Sequence, residues 1–138
     1  MAAETAGKAG ESGSALEERW RELLSLHART LCEIDRELHQ HGLGASDFEV
    51  MDILAEESAE DGSAAYRIQE LTARVHLSQS ALSRLIGRLE KDGLVCRGMC
   101  REDRRGVVVE LTDEGRERHA LALPLQRAVL ARMLATPS

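Results

Sequence analysis

A mainly helical fold carrying one small β-hairpin is what this sequence predicts, on three observations. Leu, Ala, Glu and Arg dominate, while the 138 residues include one Trp, one Tyr and one Phe, a composition of helix formers. Apolar residues recur at steps of three and four through most of the chain. The runs "LVCRGMC" and "GVVVEL" break that rhythm with β-prone alternation, on either side of an arginine-rich stretch. A chain of this length is expected to form one domain around a single core.

Residues 1–13, "MAAETAGKAGESG", are small and polar without an apolar stretch, so a disordered tail is expected there rather than a signal peptide or a membrane span. Three cysteines without close pairing, in a chain with no export signal, point to reduced thiols and a cytoplasmic protein. No membrane partner is expected.

Residues 14–40 read as one long helix. Leu16, Trp20, Leu23, Leu24, His27, Leu31, Ile34 and Leu38 line one face. About 25 helical residues span roughly 37 Å, more than a small domain needs for its own core, so part of this face is expected to pack on a second copy. Gly42 and Gly44 stop the helix, and Ser46 with Glu49 has capping-box spacing for the next, which carries Val50, Met51, Ile53 and Leu54. After the polar loop "SAEDGSA", a short strand is foreseen at "AYRI".

"IQELTARV" and "SQSALSRLIGRLEKDG" then form two short helices joined by a tight turn. The second is capped by Ser78, turns Leu82, Leu85, Ile86 and Leu89 inward, and stops at Gly93. The hairpin follows, and Thr112 caps a last helix with apolar positions at Leu121, Leu125, Val129, Met133 and Leu134. Pro124 is expected to kink or split that helix. The expected organisation is thus a tail (1–13), an N-terminal dimerisation helix (14–40), a helix-turn-helix lobe with a two-stranded wing (46–111) and a C-terminal dimerisation helix (112–138).

Charge sharpens the reading. The chain is acidic overall, at net −6, yet residues 67–105 carry nine basic against five acidic side chains. A basic middle between acidic arms fits one face that meets phosphate on a molecule that must stay soluble. The order helix, turn, helix, hairpin is that of a winged helix-turn-helix, whose second short helix enters the major groove of double-stranded DNA while the hairpin reaches the minor groove. On the outer face of that helix stand Ser78, Gln79, Ser80, Ser83, Arg84 and Arg88, side chains able to read base edges or grip phosphates.

Residues 42–115, from "GLGASDFEVMDIL" to "EDRRGVVVELTDEG", resemble the MarR family of dimeric winged-helix transcription regulators. The strongest element is the wing pattern D-x-R followed by V-x-L-T-x-x-G: Asp103, Arg105, Val109, Leu111, Thr112 and Gly115. The resemblance implies that Asp103 orients Arg105 into the minor groove; Arg104 and Arg101 are expected at phosphate or solvent. It also implies a homodimer on a pseudo-palindromic operator, built here through Leu16, Trp20, Leu23, Leu121, Leu125 and Val129. Family members commonly act as repressors released by an effector, here an unnamed small molecule.

The residues suggest two other triggers. Cys32, Cys96 and Cys100 suggest a thiol sensor, because Cys96 and Cys100 sit beside Arg97 and Arg101 and nearby cations lower a thiol pKa. His27, Cys32, His39, His41 and His119 suggest metal sensing, but their spacing supplies no compact ligand set, and no metal or cofactor is expected. No phosphate-binding Gly-rich loop, nucleophile elbow or triad spacing is present, so the chain is not expected to be an enzyme. A winged helix turned to protein partners remains the alternative of a different class; a neutral or acidic recognition face would mark it, and here the face is basic.

Overall fold

The computed structural model describes residues 2–61, 66–99 and 107–135. Cys100, Arg101, Asp103, Arg104 and Arg105 lie outside the described residues.

The architecture is the mainly α winged helix-turn-helix that the sequence predicts. Helix α1 (Ala2–Leu38) leads through a 3-10 turn (His39–His41) into α2 (Ala45–Asp61). Strand β1 (Tyr66–Arg67) runs directly into α3 (Ile68–Arg74), followed by α4 (Gln79–Lys91), β2 (Val95–Met99), β3 (Val107–Leu111) and α5 (Asp113–Leu134). The sheet is antiparallel with order β1-β3-β2, so the segment foreseen at "AYRI" adds a third strand to the two-stranded wing. Tyr66 lies opposite Val109, and Val95 opposite Leu111.

One core joins these elements. Leu38, Phe48, Met51, Leu54, Leu71, Leu82, Ile86, Leu89, Leu94 and Val109 are fully buried within it. All four apolar positions anticipated on the second helix, Val50, Met51, Ile53 and Leu54, are buried. Helix α5 ties back onto the rest through two polar contacts and a ring stack. Arg132 pairs with Glu33 of α1 at 2.9 Å, Arg118 donates to the His41 carbonyl at 2.8 Å, and the His119 ring stacks on Phe48 with centroids 5.2 Å apart.

Three local expectations are corrected. Helix α1 begins at Ala2, so residues 2–13, expected as a tail, carry helical backbone. They extend a helix already nucleated downstream, so no new nucleus has to form, although Gly7, Gly10 and Gly13 make this the weakest part of the helix by propensity. Helix α2 starts one residue before Ser46, which is exposed in its first turn and does not cap it. The cap is supplied instead by carboxylates: Asp47 accepts from the Gly44 N–H at 2.8 Å, and Asp35 accepts from the Ala45 N–H at 2.7 Å. Helix α5 runs through Pro124 as one element. Proline's φ suits a helix, and the carbonyl it leaves unpaired belongs to Ala120, on an exposed surface where water can serve it.

Two glycines end elements as anticipated. Gly42 (φ 70°) closes the 3-10 turn and Gly93 (φ 79°) closes α4, both in the left-handed region that a side chain disfavours. No helix among the described residues is long and apolar enough to cross a membrane.

Candidate nucleic-acid interface

Helix α4 is held by its apolar side and offered by its polar one. Leu82, Leu85, Ile86 and Leu89 are buried, while Ser78, Gln79, Ser80, Ser83 and Arg84 are exposed. The N-terminus is fixed by Ser78, whose Oγ accepts from the Ala81 N–H at 3.1 Å. Ser78 is therefore a cap first, and its hydroxyl is already engaged. Gln79, Ser80 and Ser83 present amide and hydroxyl groups beside the positive end of the helix dipole, the chemistry that suits base edges and phosphate oxygens.

The cations nearby divide into engaged and free. Arg88 forms a bidentate fork with Asp47 of α2, Nη1 to Oδ2 at 3.0 Å and Nη2 to Oδ1 at 2.5 Å. Asp47 is only 3% exposed. The hydrogen-bonded carboxylate drives the Arg88 pKa further upward. Arg97 of β2 lies across α4 to pair with Glu90 at 3.2 Å. Arg74 donates to the Tyr66 hydroxyl at 2.9 Å and reaches Glu56 at 3.5 Å. Arg84 and Lys91 are exposed and pair with no carboxylate among the described residues. Of the sequence-predicted contacts on this helix, Arg84 is thus the free cation, and Arg88 is turned to its own protein.

The base of the wing is built on Thr112. Its hydroxyl donates to the Gly93 carbonyl at 2.6 Å and accepts from the Gly115 N–H at 3.0 Å, while its own N–H donates to the Leu94 carbonyl at 3.1 Å. One residue thereby joins the end of α4, the edge of the wing and the start of α5. Gly115 is required by contact rather than by φ. A β-carbon there would stand 2.0 Å from the Leu94 carbonyl oxygen. The V-x-L-T-x-x-G pattern is a packing motif in this chain. The tip residues expected to act at its end, Asp103, Arg104 and Arg105, lie outside the described residues.

The residues singled out as sensors are placed as follows. Cys96 is exposed on β2 with its Sγ 3.9 Å from Glu110. Desolvation first, and then the Glu110 carboxylate, push its thiol upward, opposite to what a reactive thiolate needs. Arg97 cannot help, because neighbouring strand residues face opposite sides and its guanidinium is turned to Glu90. Cys32 is exposed on α1. Among the described residues no three His, Cys, Asp or Glu side chains stand together in a set that could hold a metal ion. His119 is occupied by Asp52, Nε2 to Oδ1 at 2.7 Å.

The residues assigned to dimerisation separate in the same way. Leu16, Trp20, Leu23 and Leu121 are exposed, at 65%, 59%, 52% and 58%, and Leu24 and Leu134 join them. Leu125 is half-buried against the core, and Val129 is wholly buried inside the protomer, so the assignment of Val129 to a partner surface is corrected. Steps of four residues drift about 40° around a helix, which carries a Leu121, Leu125, Val129 row from the outside into the core.

Sequence reasoning missed two features. One is Asp47, for which the spacing Gly44-x-x-Asp47 was the available signal. The other is an open groove of about 660 Å³ between α1, α2 and α5, lined by His27, Leu31, Ile34, Glu49, Asp52 and Leu123 among others. A second cavity of about 390 Å³ shares His27, Leu31 and Glu49 and extends to Arg74 and His76. Lost hydration, then the neighbouring Asp52 and Glu56 carboxylates, raise the Glu49 pKa, with His76 opposing them. His27, His76 and Leu123 are distant from Glu49 in sequence, so no spacing announces the groove they line together.

The sequence profile of the MarR family matches residues 61–107, from the end of α2 through the helix-turn-helix to the first residue of β3. YkoM of Bacillus subtilis, an HTH-type transcriptional regulator, is 26% identical over 97 residues, which are 70% of this chain and 59% of that protein. The chain thus matches less than two thirds of the length of that curated relative. AbsC, a MarR family transcriptional regulator from Streptomyces coelicolor, shares the fold with a TM-score of 0.75 at 28% identity, over 86% of this chain and 78% of AbsC. Sco3205, a MarR family regulator of the same organism solved in complex with DNA, superposes with a TM-score of 0.76 at 28% identity, over 88% of this chain and 76% of its own. With the profile centred on the helix-turn-helix and the fold shared across most of its length, the chain is similar to MarR family regulators in sequence and in fold.

Proposed function

We propose that this chain is a sequence-specific double-stranded DNA-binding transcription regulator, most simply a repressor, acting in the cytoplasm as a homodimer on a pseudo-palindromic operator. The observation that carries the reading is α4: a capped helix anchored by four buried apolar side chains, with Gln79, Ser80, Ser83 and the free cation Arg84 facing outward. Sco3205, similar over most of the chain, was solved with DNA. In this account α4 enters the major groove, and Asp103 and Arg105 at the wing tip serve the minor groove with Arg104 at phosphate. The exposed apolar residues of α1 and α5 cover one another between two copies, setting recognition helices one DNA turn apart, roughly 34 Å.

The groove beside Glu49 and Asp52 is the place for a small-molecule effector in this account, because it lies between the long helices and the lobe. A ligand wedged there acts on the spacing of the two recognition helices.

The test is a pair of variants on α4, measured by fluorescence anisotropy on a preferred and a scrambled duplex. Arg84→Gln is expected to weaken both duplexes and to lower the salt slope by about one, whereas Gln79→Ala is expected to cost about 1 to 3 kcal/mol on the preferred duplex alone. Wild-type affinity and slope in both variants would overturn the assignment of α4.

A further inference from the structure

The Asp47 carboxylate is nearly inaccessible, yet both of its oxygens are bound to the exposed guanidinium of Arg88 on the candidate recognition helix. The same carboxylate caps the Gly44 N–H at the start of α2, and the next N–H in line, that of Ala45, is bound by Asp35 of α1. A continuous chain of carboxylate contacts therefore runs from the long helix through the α1–α2 corner to α4. A bidentate fork fixes direction as well as distance, since both N–H groups must lie in the carboxylate plane.

We infer that Asp47 is a positioning residue for DNA binding: through its fork with Arg88 it sets the rotation of α4 about its own axis, and with it the aim of Gln79, Ser80, Ser83 and Arg84. This rests on the DNA-binding function proposed above. Arg88 lies more than two turns from the helix N-terminus, where a small twist is carried to every side chain on the outer face. The opposite side of the same α2 turn, Ala45, Ser46 and Glu49, lines the 390 Å³ cavity, so displacement of that turn passes to α4 through the fork. Arg88 accordingly works as the receiver of Asp47 and not as a DNA contact. The two roles predict opposite signs. If Arg88 gripped phosphate, neutralising Asp47 would release a cation and tighten binding.

The experiment uses the full chain and the duplex that it enriches from a pool of random duplex sequences, with a scrambled duplex as control. Asp47→Asn and Arg88→Lys are compared by anisotropy across a salt series, with circular dichroism confirming the fold. Lysine keeps the charge but cannot form the fork. Both variants are expected to weaken binding to the enriched duplex by about tenfold, within the usual range of site-to-site coupling, with the salt slope and the scrambled-duplex affinity not reduced. Tighter binding by Asp47→Asn to both duplexes, or wild-type affinity in Arg88→Lys, overturns the inference. So does a lower thermal midpoint with unchanged affinity, which marks a purely structural pair. Should Asp47→Asn fail to fold, Arg88→Lys and Arg88→Gln decide: unequal loss favouring the enriched duplex supports positioning, and a slope reduced by about one in Arg88→Gln alone marks a phosphate contact and overturns it. Failure of the wild-type chain to enrich any duplex removes the DNA-binding function itself, and the inference with it.

Discussion

The carbonyl oxygen of Leu94 stands 2.0 Å from where a β-carbon of Gly115 would lie, so the first turn of α5 rests directly on the backbone at the root of the wing. Backbone cannot move aside as a flexible side chain would. Gly115→Ala is expected to lower stability by about 1 to 3 kcal/mol, the usual cost of overpacking, seen as a lower urea midpoint at unchanged slope. A variant as stable as wild type would show that this contact is not a constraint.

Thr112 makes the polar half of the same joint. Thr112→Ala removes the cap on Gly115 and leaves the Gly93 carbonyl without its hydroxyl donor, an expected loss of about 0.5 to 2 kcal/mol. Thr112→Ser keeps the hydroxyl and is expected to recover most of it. Equal melting curves for the alanine and serine variants would mean that the methyl group, not the hydroxyl, is what matters.

Glu49 offers a test with a definite sign. Its folded-state pKa is raised above the ordinary 4.5, chiefly by desolvation and then by Asp52 and Glu56, so the native state holds that proton more tightly than the unfolded chain does. Stability attached to this group therefore rises as pH falls through the folded pKa, and above that range the ionised carboxylate counts against the fold. Glu49→Gln is expected to melt higher than wild type near neutral pH, with the advantage vanishing below the ordinary carboxylate range. A difference independent of pH would show that the carboxylate charge is not its source.

The exposed apolar row predicts an association state. Trp20→Glu together with Leu23→Glu is expected to convert a dimer into a folded monomer in sedimentation velocity, because both side chains are more than half exposed in the protomer. Val129→Glu should instead unfold the protomer, since that side chain is wholly buried. A wild-type chain that sediments as a monomer would leave the row without the partner proposed for it.

Much of this protein was legible in its sequence because the signals were local. Ser78, Thr112, Gly42 and Gly93 announce element ends through neighbours within a few residues, and the apolar rhythm of Leu82, Leu85, Ile86 and Leu89 sets the inner and outer faces of α4. What escaped depends on distance along the chain. The Asp47–Arg88 fork joins residues 41 apart, so the outward position of Arg88 read as a DNA contact when its guanidinium is already spoken for. Cys96 looked activated by its neighbour Arg97, but strand alternation and Glu90 take that charge elsewhere. Val129 continued an apolar row whose drift around α5 only the packed helices reveal.

The most direct test of the central claim is anisotropy of the full chain on its enriched duplex and on a scrambled duplex at several salt concentrations. A sequence-specific regulator is expected to prefer the enriched duplex by about a thousandfold or more, with affinity falling steeply as salt rises. Equal, weak binding to both would contradict the account and point to a winged helix that meets protein partners instead of DNA.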